Sequence, residues 1–308
     1  MSYLRGFGAC LPQRIVDNAE IAALTGVTPD WILQASGIEE RRFAGQGDTV
    51  ASLGAGAARD CLAACGAEAG DVGLLLVASG SAERCFPGPA GTVGVALGIG
   101  GVPAIDLPMA SAGALFGLAL AAQLAPNYGN VLVVGSEIMS RAVAFAPEGR
   151  DTAILFGDGA GACLVSAEGG LARIEDSVLH SDGEFAGILR LEHDRPLHMD
   201  GKSVILQAAR KLPRAIGEVL ERRQVAAADV AALLVHQANL NLLTRVAQSL
   251  KIPEERCFRN LQRYGNTSSA SMLIAAAEWW REQNGVWPGP VVFAAFGAGL
   301  HWGALLAR

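Results

Sequence analysis

The sequence predicts an α/β protein in which two related halves pack as stacked layers of helices and sheet. Three observations lead to this prediction: short apolar runs, alanine-rich segments, and an order of motifs that recurs after about 160 residues. The chain has 308 residues, of which 51% are apolar and 18% charged. It can therefore bury a large core, and it lacks the composition of a disordered protein.

Continuous apolar runs identify the strands. Residues 74–77 and 131–134 are such runs, and the lack of alternation predicts strands that are buried on both faces. Alanine-rich segments at 50–66 and 203–223 are long enough for helices. Asn18 is predicted to cap a helix that begins one residue later, because asparagine is a favoured N-cap residue.

The two halves share several segments. GDVGLLLVASG resembles ADVAALLVHQA, and the Asp-Val pairs of these segments begin at Asp71 and Asp229. NVLVVGSE is matched by PVVFAAFG at nearly the same offset. This spacing is too long for a solenoid repeat and indicates duplication of one α/β unit. We therefore predict two domains, 1–168 and 169–308.

Charge and cysteine usage limit the partners and the compartment. A formal charge of −6 is unlike the basic face of a nucleic-acid-binding protein, so no nucleic-acid partner is predicted. The apolar window 108–125 contains serine, glycine and glutamine, which favours a buried helix over a membrane span. The six cysteines lack C-x-x-C spacing, so free thiols are predicted and no metal site. Reduced cysteines and the lack of a recognisable signal peptide indicate the cytoplasm.

Four segments place a reactive or special group where a buried strand ends or a buried helix begins, and ligand sites gather at such positions. These groups are Ser111 in DLPMASAG, His236 in VHQANL, Asn266 in YGNTSSAS and the glycine turn that contains Gly299. His236 follows a predicted strand and has two amide side chains beside it, which favours a functional role over a satisfied core histidine. Asn266 alone is equally consistent with a helix N-cap.

Together these motifs resemble the ketoacyl-ACP synthase III family of thiolase-fold condensing enzymes. The strings that carry the resemblance are TPDWILQASGIEERRFAG, FGDGAGA, HQANL, YGNTSSAS and the ending FGAGLHWGALLAR, which together cover essentially the whole chain. The resemblance implies the thiolase fold, whose duplicated halves form an α-β-α-β-α arrangement of layers. It also implies a homodimer, and acyl-CoA as a substrate rather than any bound cofactor.

The resemblance implies a Cys–His–Asn site. In the family, the cysteine takes an acyl group from acyl-CoA or a carrier protein. The histidine and asparagine stabilise the enolate of a decarboxylating malonyl-ACP or malonyl-CoA, which then attacks the acyl group. His236 and Asn266 match these two residues. The backbone N–H groups of Ser111 and Gly299 match the family's second oxyanion hole, for the acyl-transfer step.

Further positions match the family's substrate-binding residues. Trp31 and Arg150 match residues that bind CoA, and Arg150 precedes an apolar run, 153–156, which we interpret as a strand. Phe86 matches a residue that reaches across the dimer to bound the acyl pocket; a core aromatic is the alternative interpretation. A second CoA-binding arginine of the family is replaced by Glu39.

The basic residues with which the family contacts an acidic carrier protein are also changed. The helix after HQANL has neutral side chains where such basic residues are common in the family. The acyl carrier protein therefore remains a candidate partner only if other cations nearby bind it. These cations are Arg210, Lys211, Arg245 and Lys251.

Ser111 is the one chemical mismatch, because it stands where the family has its nucleophilic cysteine. A thiol has a pKa near 8.5 and ionises at a helix N-terminus, whereas a hydroxyl needs a general base, for which His236 is the candidate. Ser111 could be an authentic nucleophile of an acyltransferase or starter-unit synthase, or an introduced Cys→Ser substitution. Alternatively, acylation is lost and the chain is a decarboxylase or a non-catalytic partner subunit. A Ser-His hydrolase is disfavoured, because no G-x-S-x-G elbow surrounds Ser111.

Overall fold

A computed structural model describes residues 1–192 and 194–308 of the chain. Its strands are β1 Ser2–Cys10, β2 Arg14–Asp17, β3 Glu40–Phe43, β4 Leu74–Ala78, β5 Ala104–Leu107, β6 Asn130–Ile138, β7 Asp158–Ser166, β8 Ala172–Ser181, β9 Leu189–Arg190, β10 His198–Met199, β11 Ala232–Val235, β12 Val291–Gly297 and β13 His301–Ala307. Its α-helices are α1 Asn18–Thr25, α2 Pro29–Ser36, α3 Val50–Ala64, α4 Ala90–Ala96, α5 Gly113–Tyr128, α6 Arg150–Ala153, α7 Gly201–Arg222, α8 Leu240–Leu250, α9 Leu261–Tyr264 and α10 Ser271–Glu282.

The main sheet repeats one arrangement of four strands. Its order is β11-β12-β13-β8-β1-β7-β6-β4-β5. In the first half β4 is parallel to β6, β6 antiparallel to β7, and β7 antiparallel to β1; β11, β12, β13 and β8 repeat this order and these directions. Each of these groups of four strands forms one arm of the sheet. A short antiparallel pairing of β1 with β8 joins the two arms. The boundary between residues 168 and 169 falls between β7 and β8 and stays a prediction.

Helices cover both faces of each arm. One core cluster contains α5 and α10 together with strands of both arms, so these two helices form the central layer. The outer face of the first arm packs on α3 and α4, and the outer face of the second on α7 and α8. Along β4, Leu74 and Leu76 face the central helices whereas Leu75 and Val77 face α3. The predicted α-β-α-β-α layering is therefore confirmed.

Most predicted elements are confirmed, including the strands at 74–77 and 131–134 and the helices at 50–66 and 203–223. The apolar window contributes the buried helix α5, and no helix within residues 1–192 and 194–308 has the length and hydropathy to cross a membrane.

Two local predictions are wrong. Asp17, not Asn18, is the N-cap of α1, because the Asp17 carboxylate accepts the N–H of Glu20. Asn18 is already helical and donates its side-chain amide to a backbone carbonyl. The run 153–156 is not a strand: helix α6 ends there and a turn follows, in which the N–H of residue 155 bonds the carbonyl of residue 152.

Close packing of β1 on α3 gives a test of the core. A Cβ added at Gly8 would lie 2.1 Å from the backbone N of Cys61 and 2.5 Å from the carbonyl of Ala57, so Gly8→Ala must push α3 away from the sheet. We expect chemical denaturation to show a loss of about 2 kcal/mol or more. Gly217 in α7 has no atom within 4 Å of its added Cβ, so Gly217→Ala should stabilise by roughly 0.5–1 kcal/mol. Equal effects of the two changes would contradict this packing.

Candidate active site

Ser111, His236 and Asn266 line one cavity between the two halves of the chain. Together with the open solvent at its mouth, the cavity has a volume of about 950 Å³. Its wall is mostly apolar, and the apolar side chains come mainly from Met139, Leu155, Phe156, Leu189, Leu191, Leu197, Met199, Val204, Ile205, Ala208, Leu212, Leu242 and Phe296. A few convergent polar groups in an apolar cleft are typical of a small-molecule site.

Ser111 lies in the turn between β5 and α5. Its φ of +62° is in the left-handed region, which costs a non-glycine residue about 1 kcal/mol or more. Gly297 packs directly against this turn, since a Cβ there would lie 2.2 Å from the carbonyl oxygen of Ala110. Ser111 is not a cap, because Ala112 is the N-cap residue of α5. The sharp turn therefore holds Ser111 at the cavity wall ahead of the helix.

The two predicted backbone donors differ in their surroundings. The N–H of Ser111 donates to Oγ of Ser268 at 3.0 Å, so this donor already has an acceptor within the protein. Gly299 has a φ of +133°, and a Cβ there would lie 2.2 Å from Nε2 of His301. Glycine is therefore required at position 299 on both conformational and steric grounds.

His236 is buried and follows β11, as the sequence predicts. Its Nδ1 lies 2.5 Å from Oγ of Ser271, which also accepts the N–H of Gln237. When the Ser271 hydroxyl donates to Nδ1, the ring proton resides on Nε2. Burial lowers the pKa of His236 to about 4, although a backbone hydrogen bond at Ser268 acts in the opposite direction. The neutral ring is thus suited to donate a hydrogen bond, and it is a weak base.

Asn266 is held in place by its backbone and its side-chain oxygen. Its N–H donates to the carbonyl of Leu155, and its own carbonyl accepts the N–H of Gly157. Its Oδ1 accepts the N–H of Ser268 at 2.9 Å, which leaves Nδ2 as the side-chain donor. The alternative role of helix N-cap is wrong, because Thr267 occupies that position for the 3₁₀ turn that follows.

The other predicted site residues do not line this cavity. Trp31 is 40% exposed on α2, and the Arg150 side chain is 56% exposed at the start of α6. Phe86 is 85% exposed, so the alternative of a core aromatic is wrong within this chain. Lys211 forms an ion pair with Asp182 at 2.7 Å. Because of this ion pair, Lys211 is not a free cation for contact with an acyl carrier protein.

The surroundings of His236 disfavour a hydrolase of the Ser-His-Asp type. The partner of Nδ1 is a serine hydroxyl rather than the carboxylate that orients the histidine in Ser-His-Asp hydrolases. Across residues 1–192 and 194–308, no group of three or more His, Cys, Asp or Glu side chains could hold a metal ion.

Three polar residues of the site were missed in the sequence. Ser268 and Ser271 lie within YGNTSSAS, where a run of hydroxyls after Asn266 was the available signal. Glu137 ends the apolar run NVLVVGSE, and its carboxylate accepts hydrogen bonds from Ser269 and Gly80. An acid placed at the end of a buried strand was its only signal.

Comparison with known proteins places the chain in the thiolase-fold condensing class of acyltransferases. Family models for 3-oxoacyl-[acyl-carrier-protein (ACP)] synthase III match residues 105–183, and those for the C-terminal part of that enzyme match residues 220–308. The β-ketoacyl-[acyl-carrier-protein] synthase III of Oleidesulfovibrio alaskensis is 37% identical, over 100% of this chain and 98% of the relative. The chain therefore belongs to the β-ketoacyl-[acyl-carrier-protein] synthase III family.

Solved structures agree with this assignment. The 3-oxoacyl-[acyl-carrier-protein] synthase III of Aquifex aeolicus superposes with a TM-score of 0.95 at 31% identity, covering 100% of both chains. The priming β-ketosynthase from the R1128 polyketide biosynthetic pathway gives a TM-score of 0.92 at 31% identity, covering 99% of this chain and 96% of that one. The thiolase fold and the condensing-enzyme class predicted from the sequence are confirmed.

The lowered pKa of His236 predicts a pH-dependent stability. Since the pKa falls from 6.5 to about 4, the unfolded chain binds more protons between these values. The stabilisation is complete above pH 6.5 and is lost as the pH falls toward 4, by about 3 kcal/mol. Denaturation of the protein and of His236→Gln at several pH values measures this difference. Parallel pH profiles for the two proteins would exclude a depressed pKa.

Proposed function

We propose that this enzyme accepts an acyl group on Oγ of Ser111 from an acyl-CoA and condenses it with a decarboxylated malonyl unit. The observation that carries the proposal is that Ser111, His236 and Asn266 line the same largely apolar cavity. Retention of the whole arrangement around a replaced nucleophile favours a working enzyme over a non-catalytic partner subunit.

The first step is transfer of the acyl group to oxygen. The hydroxyl oxygen of Ser111 attacks the thioester carbonyl, the carbon–sulfur bond breaks, and the released CoA thiolate takes up the hydroxyl proton. His236 is the candidate for carrying this proton, but its pKa of about 4 makes it a weak base. We therefore infer that acylation of the serine is slow relative to acylation of a thiol at the same position.

The second step is decarboxylation of the malonyl thioester. Loss of carbon dioxide leaves an enolate oxygen, which the neutral ring of His236 and Nδ2 of Asn266 stabilise as hydrogen-bond donors. The enolate carbon attacks the ester carbonyl, the bond to Oγ of Ser111 breaks, and this oxygen takes up a proton from the solvent. Burial supports this role of His236, because it keeps the ring neutral near pH 7.

Substrate delivery follows from the exposed residues outside the cavity. We infer that the CoA adenine stacks on Trp31 and that Arg150 contacts its phosphates, since both side chains are accessible. The extender is malonyl-ACP or malonyl-CoA. Arg245 lines a cleft that shares residues with the cavity, and it is the cation best placed to meet an acyl carrier protein.

A homodimer is supported by the free edge of the main sheet. Strand β5 is one of the two edge strands of the main sheet, and Ile105 on it is 45% exposed; on helix α5, which follows it in the chain, Leu120 is 41% exposed. An exposed, apolar edge strand is a surface that proteins normally cover. In such a dimer Phe86 would reach the partner's acyl pocket, as predicted. We retain the cytoplasm as the predicted compartment and acyl-CoA as a substrate rather than a resident cofactor.

A second candidate activity is decarboxylation of a malonyl thioester without condensation. The weak basicity of His236 favours it, because a serine that is never acylated leaves the enolate to be protonated. The two candidates differ in whether Ser111 carries an acyl group.

Acylation of Ser111 is measured by intact mass after incubation with a panel of acyl-CoAs. We expect a single acyl adduct on the peptide that contains residue 111, and its loss in Ser111→Ala. Ser111→Cys should acylate faster, since a thiol ionises far more readily than a hydroxyl. Adducts on the cysteine form alone would leave decarboxylation as the activity. Absence of adducts on both forms would refute the proposal.

The enolate-binding role is tested by release of carbon dioxide from a malonyl thioester. Asn266→Ala removes one oxyanion donor and should lower the rate about 10²- to 10³-fold. Asn130→Ala is the matched control, because that amide bonds the carbonyl of Asp71 at the far end of β6. A rate that the two changes reduce equally would exclude the proposed role of Asn266.

A further inference from the structure

Glu137 is a buried carboxylate that hydrogen bonds hold without a cation. It is 0% exposed near the end of β6. Its oxygens accept from Oγ of Ser79 at 3.2 Å, the N–H of Gly80 at 3.0 Å, Oγ of Ser81 at 2.5 Å, and the N–H and Oγ of Ser269 at 3.2 and 2.7 Å. No ion pair to Glu137 occurs in the described part of the chain. Buried charge without a counterion persists only where such donors surround it.

These donors come from both halves of the molecule. Ser79, Gly80 and Ser81 follow β4 in the first half, whereas Ser269 follows Asn266 in the second. The backbone at Ser269 also approaches β6 closely, because a Cβ added at Gly135 would lie 2.5 Å from the Ser269 carbonyl oxygen. The Glu137 carboxylate thus holds the segment 266–270 against the ends of β4 and β6 in the first half.

The segment 266–270 contacts Ser111 and also orients the side chain of Asn266. Ser268 precedes Ser269, its hydroxyl accepts the N–H of Ser111, and its own N–H donates to Oδ1 of Asn266. Ser268 and Ser111 both have positive φ, at +49° and +62°. Non-glycine residues keep such conformations only where their surroundings hold them.

We propose that Glu137 is a positioning residue, which acts through Ser269 and Ser268 to fix the separation between Ser111 and the Asn266 amide. The carboxylate does not line the cavity and does not touch the substrate. The part of this inference that concerns turnover rests on the proposed function; the part that concerns the environment of position 111 does not.

The test uses Glu137→Gln in two backgrounds, the enzyme as it is and Ser111→Cys. Glutamine keeps the size of the side chain but turns an N–H₂ group toward hydroxyl and N–H donors, so position 137 loses acceptors. We expect the single-turnover acylation rate to fall between about tenfold and a hundredfold, because misplacement by about 1 Å has effects of that size. The KM for acyl-CoA should stay within about twofold.

A second readout does not depend on acyl transfer. Alkylation by iodoacetamide of the thiol introduced with Ser111→Cys, followed at the peptide that contains residue 111, gives a rate against pH. The profile depends on the electrostatic field at the thiol, which sets its pKa, and on the accessibility of the thiol to the reagent. Glu137→Gln should shift its midpoint, and a merely stabilising residue would leave the midpoint in place.

Asp158→Asn is the matched control. Asp158 is also a 0% exposed carboxylate, and it accepts the N–H of Ala44 together with the N–H and hydroxyl of Ser140. None of these donors lines the cavity. Asp158→Asn should lower the melting temperature without shifting the alkylation profile.

The outcomes distinguish the positioning role of Glu137 from the proposed acyl transfer to Ser111. Matching alkylation profiles for Glu137→Gln and Asp158→Asn would overturn the positioning role, whatever the activities. If the alkylation profiles of the two variants differ but no acyl-CoA acylates the protein, the proposed function is refuted and the positioning role of Glu137 is retained. Should Glu137→Gln fail to fold, Ser269→Ala is the second variant. It removes the hydroxyl that contacts Glu137 and the carbonyl of Ala78 but keeps the backbone N–H contact with Glu137, so a smaller shift in the same direction is expected.

Discussion

The hydrogen bond from the backbone of Ser111 to the Ser268 hydroxyl joins the two halves at the point where the cavity forms. Each of these residues has a left-handed backbone, and each is held by neighbours from the other half. Glycines allow this approach, because Gly297 and Gly135 bring backbone segments closer than any side chain permits. The rest of the site follows from this contact: Asn266 is oriented through Ser268, and helix α5 begins directly after the turn at Ser111.

Desolvation determines the electrostatics of the site. His236 lies among apolar strands and central helices, and burial disfavours its charged form. The same environment strengthens hydrogen bonds donated to an anionic oxygen, since little water competes for it. A site of this kind suits the proposed stabilisation of an enolate better than the deprotonation of a hydroxyl. The serine at position 111 is therefore poorly matched to its histidine, whereas a thiol would not depend on that base.

The sequence contains enough information to predict the fold, and the three residues that its motifs selected line one cavity. Uninterrupted apolar runs predicted β4 and β6 correctly, because strands covered on both faces need no polar side. The motifs placed His236 at a strand-to-helix junction, and it directly follows β11. Asn266 instead follows the short helix α9. The hydrogen-bond partners could not be predicted, because Glu137 and Ser269 are 132 residues apart and only the tertiary fold brings them together. Local errors such as the strand at 153–156 arose because apolar composition does not distinguish a helical turn from a strand.

The contact between Ser111 and Ser268 spans 157 residues of sequence. Closing so long a loop costs conformational entropy, which the other contacts between the two halves must offset. During synthesis the first half can complete its own sheet strands while the turn at Ser111 still lacks its partner. The nascent chain therefore has no working cavity until the segment after Tyr264 has left the ribosome and reached β6. Chemical competence in this enzyme is a property of the completed chain, and neither half possesses it alone.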